Sequence, residues 1–320
     1  MFLLVVGTVV LTWGASWLID GSGAIARAFG VKPLVIGLTI VAYGNSAPEL
    51  AVATNTALAH SQPIALGTVI GSCAANISLI LGLTALISPP TVDGRIIRRE
   101  VPVLVGSVIA IPLLLRNGVL SRLEGLLLIA CAVIFTLATL TISAREEDPE
   151  DDTVARAEQA GAEAGGKARP RGSRLIAIMK TALGLVLVLA GTSLFVRGGR
   201  GIGASLGMSE RMLGLTVIAL GTALPELVGS LIAALRGQPA LAIGGVIGSN
   251  LMNVFLVLGV TAYLRPIRLG ERMHLVDLLG LVGITLLGVL MLRGSRRITR
   301  LEGALLVAAY VAFIICTAVL

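Results

Sequence analysis

Two glutamates stand where a carboxylate is expensive to keep. Glu49 lies in GNSAPELAVA and Glu226 in GTALPELVGS, each inside a long apolar stretch. At mid-membrane depth a carboxylate costs at least about 2.5–3.5 kcal/mol on insertion scales and by default marks an ion or proton pathway. No Lys or Arg lies at comparable depth in the neighbouring apolar stretches to pair with them. Each follows a proline, Pro48 or Pro225, which removes a backbone donor and frees the carbonyl four residues back, at Gly44 or Gly221. Freed carbonyls are tolerated at membrane depth only inside protein or along a wet cavity. Neutral oxygens accompany the carboxylates. Ser72 and Asn76 are four residues apart and share a helix face, as do Ser249 and Asn253. Asn45 and Thr222 precede the glutamates by four residues and share their faces; Ser46 adds a hydroxyl where its counterpart Ala223 has none.

That inventory is all oxygen, with no paired Cys and no His, whereas Zn and Cu favour imidazole or thiolate. Calcium takes about 6–8 oxygens in flexible geometry. Two glutamates balance one Ca²⁺, and more than one monovalent ion can neutralise the same pair, which is the physical basis for exchange at a shared site. An anion would be repelled. Cys73, Cys131 and Cys316 lie in apolar segments and read as small buried hydrophobes, not as a disulfide framework. The glycine-rich GGRGIGAS at 198–205 lacks the strand context of a phosphate loop and reads as small-residue packing or a joint between spans.

The elements that must position these residues are legible in the composition. Of 320 residues 56% are apolar and 13% charged, with 39 Gly and a mean hydropathy of +0.95, which describes a helical membrane bundle. It excludes a soluble enzyme, a disordered chain and a disulfide scaffold. The net charge of +7 lies between apolar segments, as membrane topology requires, and does not indicate nucleic acid. The apolar start lacks a basic region and cleavage site and reads as a retained first span. About ten spans are expected, near 2–20, 33–57, 63–88, 101–116 and 120–143, then 175–196, 211–235, 240–264, 274–293 and 301–319. Residues 144–173 are polar and mixed in charge and read as a flexible linker.

The halves repeat. Adding 177 carries 37–89 onto 214–266 without a gap, with 23 of 53 positions identical. RLEG at 122–125 recurs at 300–303. Five spans per unit is an odd number, so the second unit starts on the opposite side of the membrane. The expected fold is an all-α integral membrane protein with two inverted five-helix repeats, 1–143 and 174–320, an arrangement found in secondary transporters. With the N-terminus outside, about 16 basic residues fall on the cytoplasmic side, the linker's included, and about 8 on the other.

The paired GNSAPE and GTALPE, each followed by a GS-x-x-x-N segment, resemble the two α-repeats of the calcium/cation antiporter superfamily, in its prokaryotic sodium/calcium exchanger branch. The resemblance covers both halves. It implies ten transmembrane helices, four central ion sites formed by helices two, three, seven and eight, and a sliding bundle of helices one and six. It implies Glu49 and Glu226 as principal ligands, Asn76 and Asn253 beside them, backbone carbonyls from Ala42 and Ala219, and sodium-binding hydroxyls from Ser46 and Thr222. The chain departs from the pattern at Asn45, where members often carry Thr, and at Ala223, where they carry Ser. Asn253 stands where some relatives, the potassium-dependent ones included, have Asp.

The expected activity is antiport of Ca²⁺ against Na⁺ by alternating access, in the cell (inner) membrane, without a cofactor. One chain holds a complete site, so a monomer suffices. A proton/cation antiporter of the same fold is the alternative, in which a glutamate carries the proton. An ion channel fits an inverted repeat poorly. An intramembrane enzyme would need a nucleophile or catalytic metal set that does not accompany the glutamates.

Overall fold

The computed structural model describes residues 2–29, 33–92, 94–145, 172–269, 275–294 and 297–319. Most of the expected linker, 146–171, lies outside the described residues. The long helices are α1 (Phe2–Phe29), α2 (Leu34–Leu58), α3 (Gln62–Ile87), α4 (Gly94–Leu114), α5 (Arg122–Arg145), α6 (Gly172–Ser205), α7 (Glu210–Leu235), α8 (Pro239–Leu264), α9 (Leu275–Gly294) and α10 (Arg300–Val319). Eight contain stretches long and apolar enough to cross a membrane; α1 has a shorter apolar run, Phe2–Leu18. The protein is an all-α membrane protein, with one two-residue ribbon among the described residues pairing Val119–Leu120 with Ile267–Arg268.

Helix boundaries exceed the hydropathy spans where polarity does not stop a helix. α1 continues past Asp20, which forms an ion pair with Arg236. α4 starts before its apolar part and carries Arg98, Arg99 and Glu100 in its early turns. The recurring RLEG marks two helix starts. Ser121 and Glu124 bond reciprocally at the start of α5, and Thr299 and Glu302 do the same at α10. Each is a capping box that satisfies backbone donors the first turn leaves open.

α3 and α8 form the centre, each 94% buried over its apolar window, whereas α5 is 17% buried. The outer face of α5 exposes Leu123, Leu127 and Ile134, the surface a hydrocarbon phase would cover. Glycines set the contacts between the halves. Gly7, Gly14 and Gly21 of α1 recur at the 177 offset as Gly184, Gly191 and Gly198 of α6. Gly7 faces Phe195, Gly14 faces Val188 and Gly21 faces Thr181, so the two helices run antiparallel. α3 runs parallel to α7, with Gly67 on Gly214 and Gly71 on Leu215 and Ala219. α8 runs parallel to α2 in the same manner, with Gly248 on Leu38 and Ala42. A methyl group on Gly71 would stand 2.5 Å from the Leu215 carbonyl oxygen, and one on Gly248 would stand 2.8 Å from Ala42 Cβ. Side-chain-free positions are what let these backbones touch.

Candidate cation site

α2 and α7 are each interrupted one residue before the proline pair begins. Ser46 (φ −74°, ψ −2°) and Ala223 (φ −83°, ψ −1°) separate an upstream turn from half-helices Ala47–Leu58 and Leu224–Leu235. Glu49 and Glu226 lie in the first turns of those half-helices, where unpaired N–H groups and the helix dipole favour negative charge. Upstream, Gly37–Val41 and Gly214–Ile218 are π-helical, and Ala75–Ile80 and Asn253–Leu258 are π-helical in α3 and α8. Such widened turns displace backbone carbonyls from the regular ladder and cluster at functional sites. All four flank or contain candidate site residues.

The side chains converge between α2, α3, α7 and α8. Glu49, Glu226, Ser72, Asn76, Thr222, Ser249, Asn250 and Asn253 are all completely buried. The Ser72 and Thr222 hydroxyls are 3.2 Å apart, and both donate to the Ala219 carbonyl, at 3.4 and 3.2 Å. Both hydroxyls neighbour the Glu49 carboxylate, while Ser249 neighbours Glu226. Ser46 Oγ donates to the Ser249 carbonyl at 3.3 Å, joining α2 to α8. The Ala42 and Ala219 carbonyls also accept the N–H groups of Ser46 and Ala223, each at 2.9 Å.

Among the described residues, nine buried polar atoms of this cluster have no hydrogen-bond partner. They are both oxygens of each glutamate, Asn76 Oδ1, Ser249 Oγ, Asn250 Nδ2 and both carboxamide atoms of Asn253. A buried group left without a partner costs about 1–3 kcal/mol, and more if charged. Here they are concentrated in one place, and most of them are acceptors. With acceptors from two carboxylates, two carboxamides and several hydroxyls, the donor set is the oxygen-rich one suited to Ca²⁺ or Na⁺.

The structure adds residues the sequence analysis passed over. Asn76 Nδ2 donates to Asn250 Oδ1 at 3.4 Å, across the two halves. Cys73, the counterpart of Asn250 at the 177 offset, places its sulfur 3.9 Å from the Asn250 carbonyl. Of the three cysteines read as small buried hydrophobes, Cys73 is completely buried in the apolar core as expected and also borders the polar cluster, whereas Cys131 is half-buried and Cys316 is exposed. An Asn in an apolar span was the available signal for Asn250. It was obscured because Asn250 adjoins Ser249 in sequence, and neighbours on a helix point about 100° apart. Asn45, four residues before Glu49, is buried. It lines a cavity with Gly229, Ser230 and Gly245, one turn from Glu49.

A family model described as sodium/calcium exchanger protein matches residues 1–141 and 176–319. The chain is 33% identical to inner membrane protein YrbG of Escherichia coli (strain K12) over 265 residues, covering 82% of this chain and 79% of that one. It is 28% identical to the sodium/calcium exchanger MaX1 of Methanosarcina acetivorans over 338 residues, covering 98% and 97% of the two chains. Its fold superposes on a solved structure of the sodium-calcium exchanger NCX_Mj with a TM-score of 0.79 and 32% identity, over 98% of this chain and 97% of that one.

Proposed function

The chain belongs to the sodium/calcium exchanger protein family, and on that footing we propose that it is an antiporter moving Ca²⁺ against Na⁺ at the Glu49–Glu226 cluster. The observation that carries this reading is the set of four carboxylate oxygens, completely buried and unpartnered, amid unpartnered neutral oxygens. The two carboxylates compensate a divalent charge. The carboxamides of Asn76 and Asn253, the hydroxyls of Ser72, Ser249, Thr222 and Ser46, and the Ala42 and Ala219 carbonyls complete the coordination of Ca²⁺ or of Na⁺. Asn45, one turn before Glu49, adds a further neutral oxygen to this set.

Ten spans in two inverted repeats, 1–143 and 174–320, joined by the 144–173 linker, form the transport unit in a monomer in the inner membrane. The empty site resists changing sides, because two uncompensated carboxylates would cross a dry interface. Either one Ca²⁺ or several Na⁺ remove that penalty, so occupancy by either permits the switch and the two ions are exchanged.

Radioactive Ca²⁺ uptake into proteoliposomes tests the coupling ion. Uptake is expected to follow an imposed Na⁺ gradient and to ignore an imposed pH gradient. Uptake that follows protons and ignores Na⁺ would overturn sodium coupling and assign the counter-charge to a protonated glutamate. The hydroxyl positions lost at Asn45 and Ala223 are what make this the decisive comparison.

A further inference from the structure

Arg211 is a buried cation that takes no part in the cation site itself. It lies in the first turn of α7 and is only 6% exposed, and Asp277 of α9 is completely buried. Arg211 Nε stands 3.1 Å from Asp277 Oδ2. Its Nη2 donates to Asp277 Oδ1 at 3.4 Å and to the Thr317 carbonyl of α10 at 2.5 Å. Two guanidinium nitrogens thus meet both carboxylate oxygens, a planar fork that lysine cannot copy. The contact ties the start of α7 to α9 and α10 at once.

From this tie a row of contacts with α3 runs to the candidate site. A Cβ on Gly67 would stand 3.4 Å from the Arg211 carbonyl oxygen and 3.2 Å from Leu215 N. One on Gly71 would stand 2.5 Å from the Leu215 carbonyl oxygen and 2.6 Å from Ala219 Cβ. Ser72 then donates to the Ala219 carbonyl, as Thr222 does. Residues 210–222 are therefore gripped by α3 along their length and by α9 and α10 at their start, and they end at the break at Ala223. The other half lacks the tie. Leu34 stands in place of Arg211 at the 177 offset, and an alkyl group makes no directional bond. The row itself recurs, with Gly244 on Leu34 and Gly248 on Leu38 and Ala42. Its last member differs: the Ser249 hydroxyl, counterpart of Ser72, has no hydrogen-bond partner among the described residues. The tied half brings its neutral oxygens to the site bonded to one another, and the untied half does not.

We infer that Arg211 is a positioning residue for the neutral oxygens that α7 supplies. Locked through Asp277 and Thr317, residues 210–222 hold the Ala219 carbonyl and the Thr222 hydroxyl in register with Ser72. Both glutamates lie beyond the breaks, on the half-helices Ala47–Leu58 and Leu224–Leu235, which the tie does not hold. A monovalent cation depends on carbonyl and hydroxyl dipoles, whereas a divalent one draws most of its binding from the two full charges. The tie therefore acts on Na⁺ more than on Ca²⁺. Groups that orient ligands without touching the ion change affinity by about 10–100-fold.

The inference rests on the cation-site reading, and two measurements separate them. The test variant is Arg211→Leu with Asp277→Leu, which removes the tie and both of its charges. Arg211→Lys keeps the charge, loses the fork and carries the test alone if the double variant is not monodisperse in detergent. Binding of radioactive Ca²⁺ to purified full-length protein is titrated by itself and then against Na⁺. The double variant is expected to need about tenfold more Na⁺ to displace Ca²⁺, while Ca²⁺ half-saturation moves less than about threefold. Arg211→Lys should shift Na⁺ competition the same way by a smaller factor. Damage to the fold would instead lower the number of Ca²⁺ sites per protein. Backbone hydrogen exchange without either ion is expected to quicken at least about tenfold over 212–222 and to stay unchanged over 35–45. Equal shifts for the two ions, unchanged Na⁺ competition or unchanged exchange over 212–222 would overturn the inference. If Na⁺ fails to displace Ca²⁺ from the unmodified protein, the sodium reading falls, and hydrogen exchange still decides whether Arg211 holds the segment.

Discussion

The α2–α3 pair and the α7–α8 pair descend through the same sequence pattern yet differ in a telling way. They agree at Glu49 and Glu226, at Ser72 and Ser249, at Asn76 and Asn253, and at Gly71 and Gly248. These positions carry charge, buried neutral oxygens or backbone contact. They disagree at Ser46 and Ala223, Cys73 and Asn250, Leu34 and Arg211, and Thr68 and Gly245. These positions border the cluster, line the cavity beside Asn45 or its counterpart, or fasten the helices that frame them. In the proposed site charge balance constrains both halves together, because each supplies one carboxylate.

The largest expected effect comes from breaking what the halves share. Glu49→Gln or Glu226→Gln should each lower Ca²⁺ exchange by at least about a hundredfold, the consequence of losing about 2–5 kcal/mol of charge pairing with the ion. Each substitution also removes an unpaired buried charge. The ion-free protein should therefore melt at a higher temperature, while the stabilisation by added Ca²⁺ disappears. Thermal unfolding with and without Ca²⁺ checks both. If one glutamate is dispensable, the site is not shared equally between the halves.

Next comes a contact that one half has and the other lacks. Arg211 at the start of α7 pairs with Asp277 of α9 at 3.1 Å, both buried, and donates to the Thr317 carbonyl of α10 at 2.5 Å. The first half has Leu34 and Glu100 at these positions. Arg211→Leu copies the first half's residue but takes the guanidinium from buried Asp277, and should cost about 3–5 kcal/mol of stability. Arg211→Leu with Asp277→Leu should recover much of that loss, since a buried ion pair replaced by apolar residues is often neutral. Denaturation of the single and double variants measures it; equal losses in both would show that the pair contributes through more than mutual compensation.

A smaller effect is expected at the glycine contacts. Gly71→Ala and Gly248→Ala place a methyl group against backbone or Cβ of the other half and should each cost about 1–3 kcal/mol through forced displacement. Gly106→Ala, where nothing lies within 4 Å, is the control and should be close to neutral. Melting temperatures of the three variants decide it, and similar shifts at all three would remove close backbone approach as the cause.

Much of this was legible beforehand for identifiable physical reasons. A buried carboxylate is costly enough that Glu49 and Glu226 declare themselves, and the offset of 177 turns one observation into two. Apolar length fixed α2, α3, α7 and α8 to within a residue or two. Legibility failed where helices extend through polar sequence, as at Asp20 in α1 and Arg98 in α4. The Arg211–Asp277 pair was hidden because its members are 66 residues apart and each lies near a span end, where charge is ordinary. The four π-helical stretches had no composition signal, since they arise from how the helices pack around the site. Asn45 shares a helix face with Glu49 as expected, and the cavity it also lines was not legible because packing against α7 and α8 forms it.

The smallest effect separates Cys73 from Asn250, and it bears on which cations the site accepts. Cys73 brings a sulfur to the edge of a cluster whose other donors are oxygen, at the position where the second half has a carboxamide. Soft thiolate-seeking ions such as Cd²⁺ discriminate sharply between sulfur and oxygen, whereas Ca²⁺ gains little from sulfur. Cd²⁺ should therefore inhibit Ca²⁺ uptake, and Cys73→Asn should weaken that inhibition by about tenfold while shifting Ca²⁺ half-saturation far less. Asn250→Cys should move Cd²⁺ inhibition in the opposite direction. Inhibition curves for Cd²⁺ in the two variants measure this, and unchanged curves in both would mean that the sulfur never reaches a bound ion.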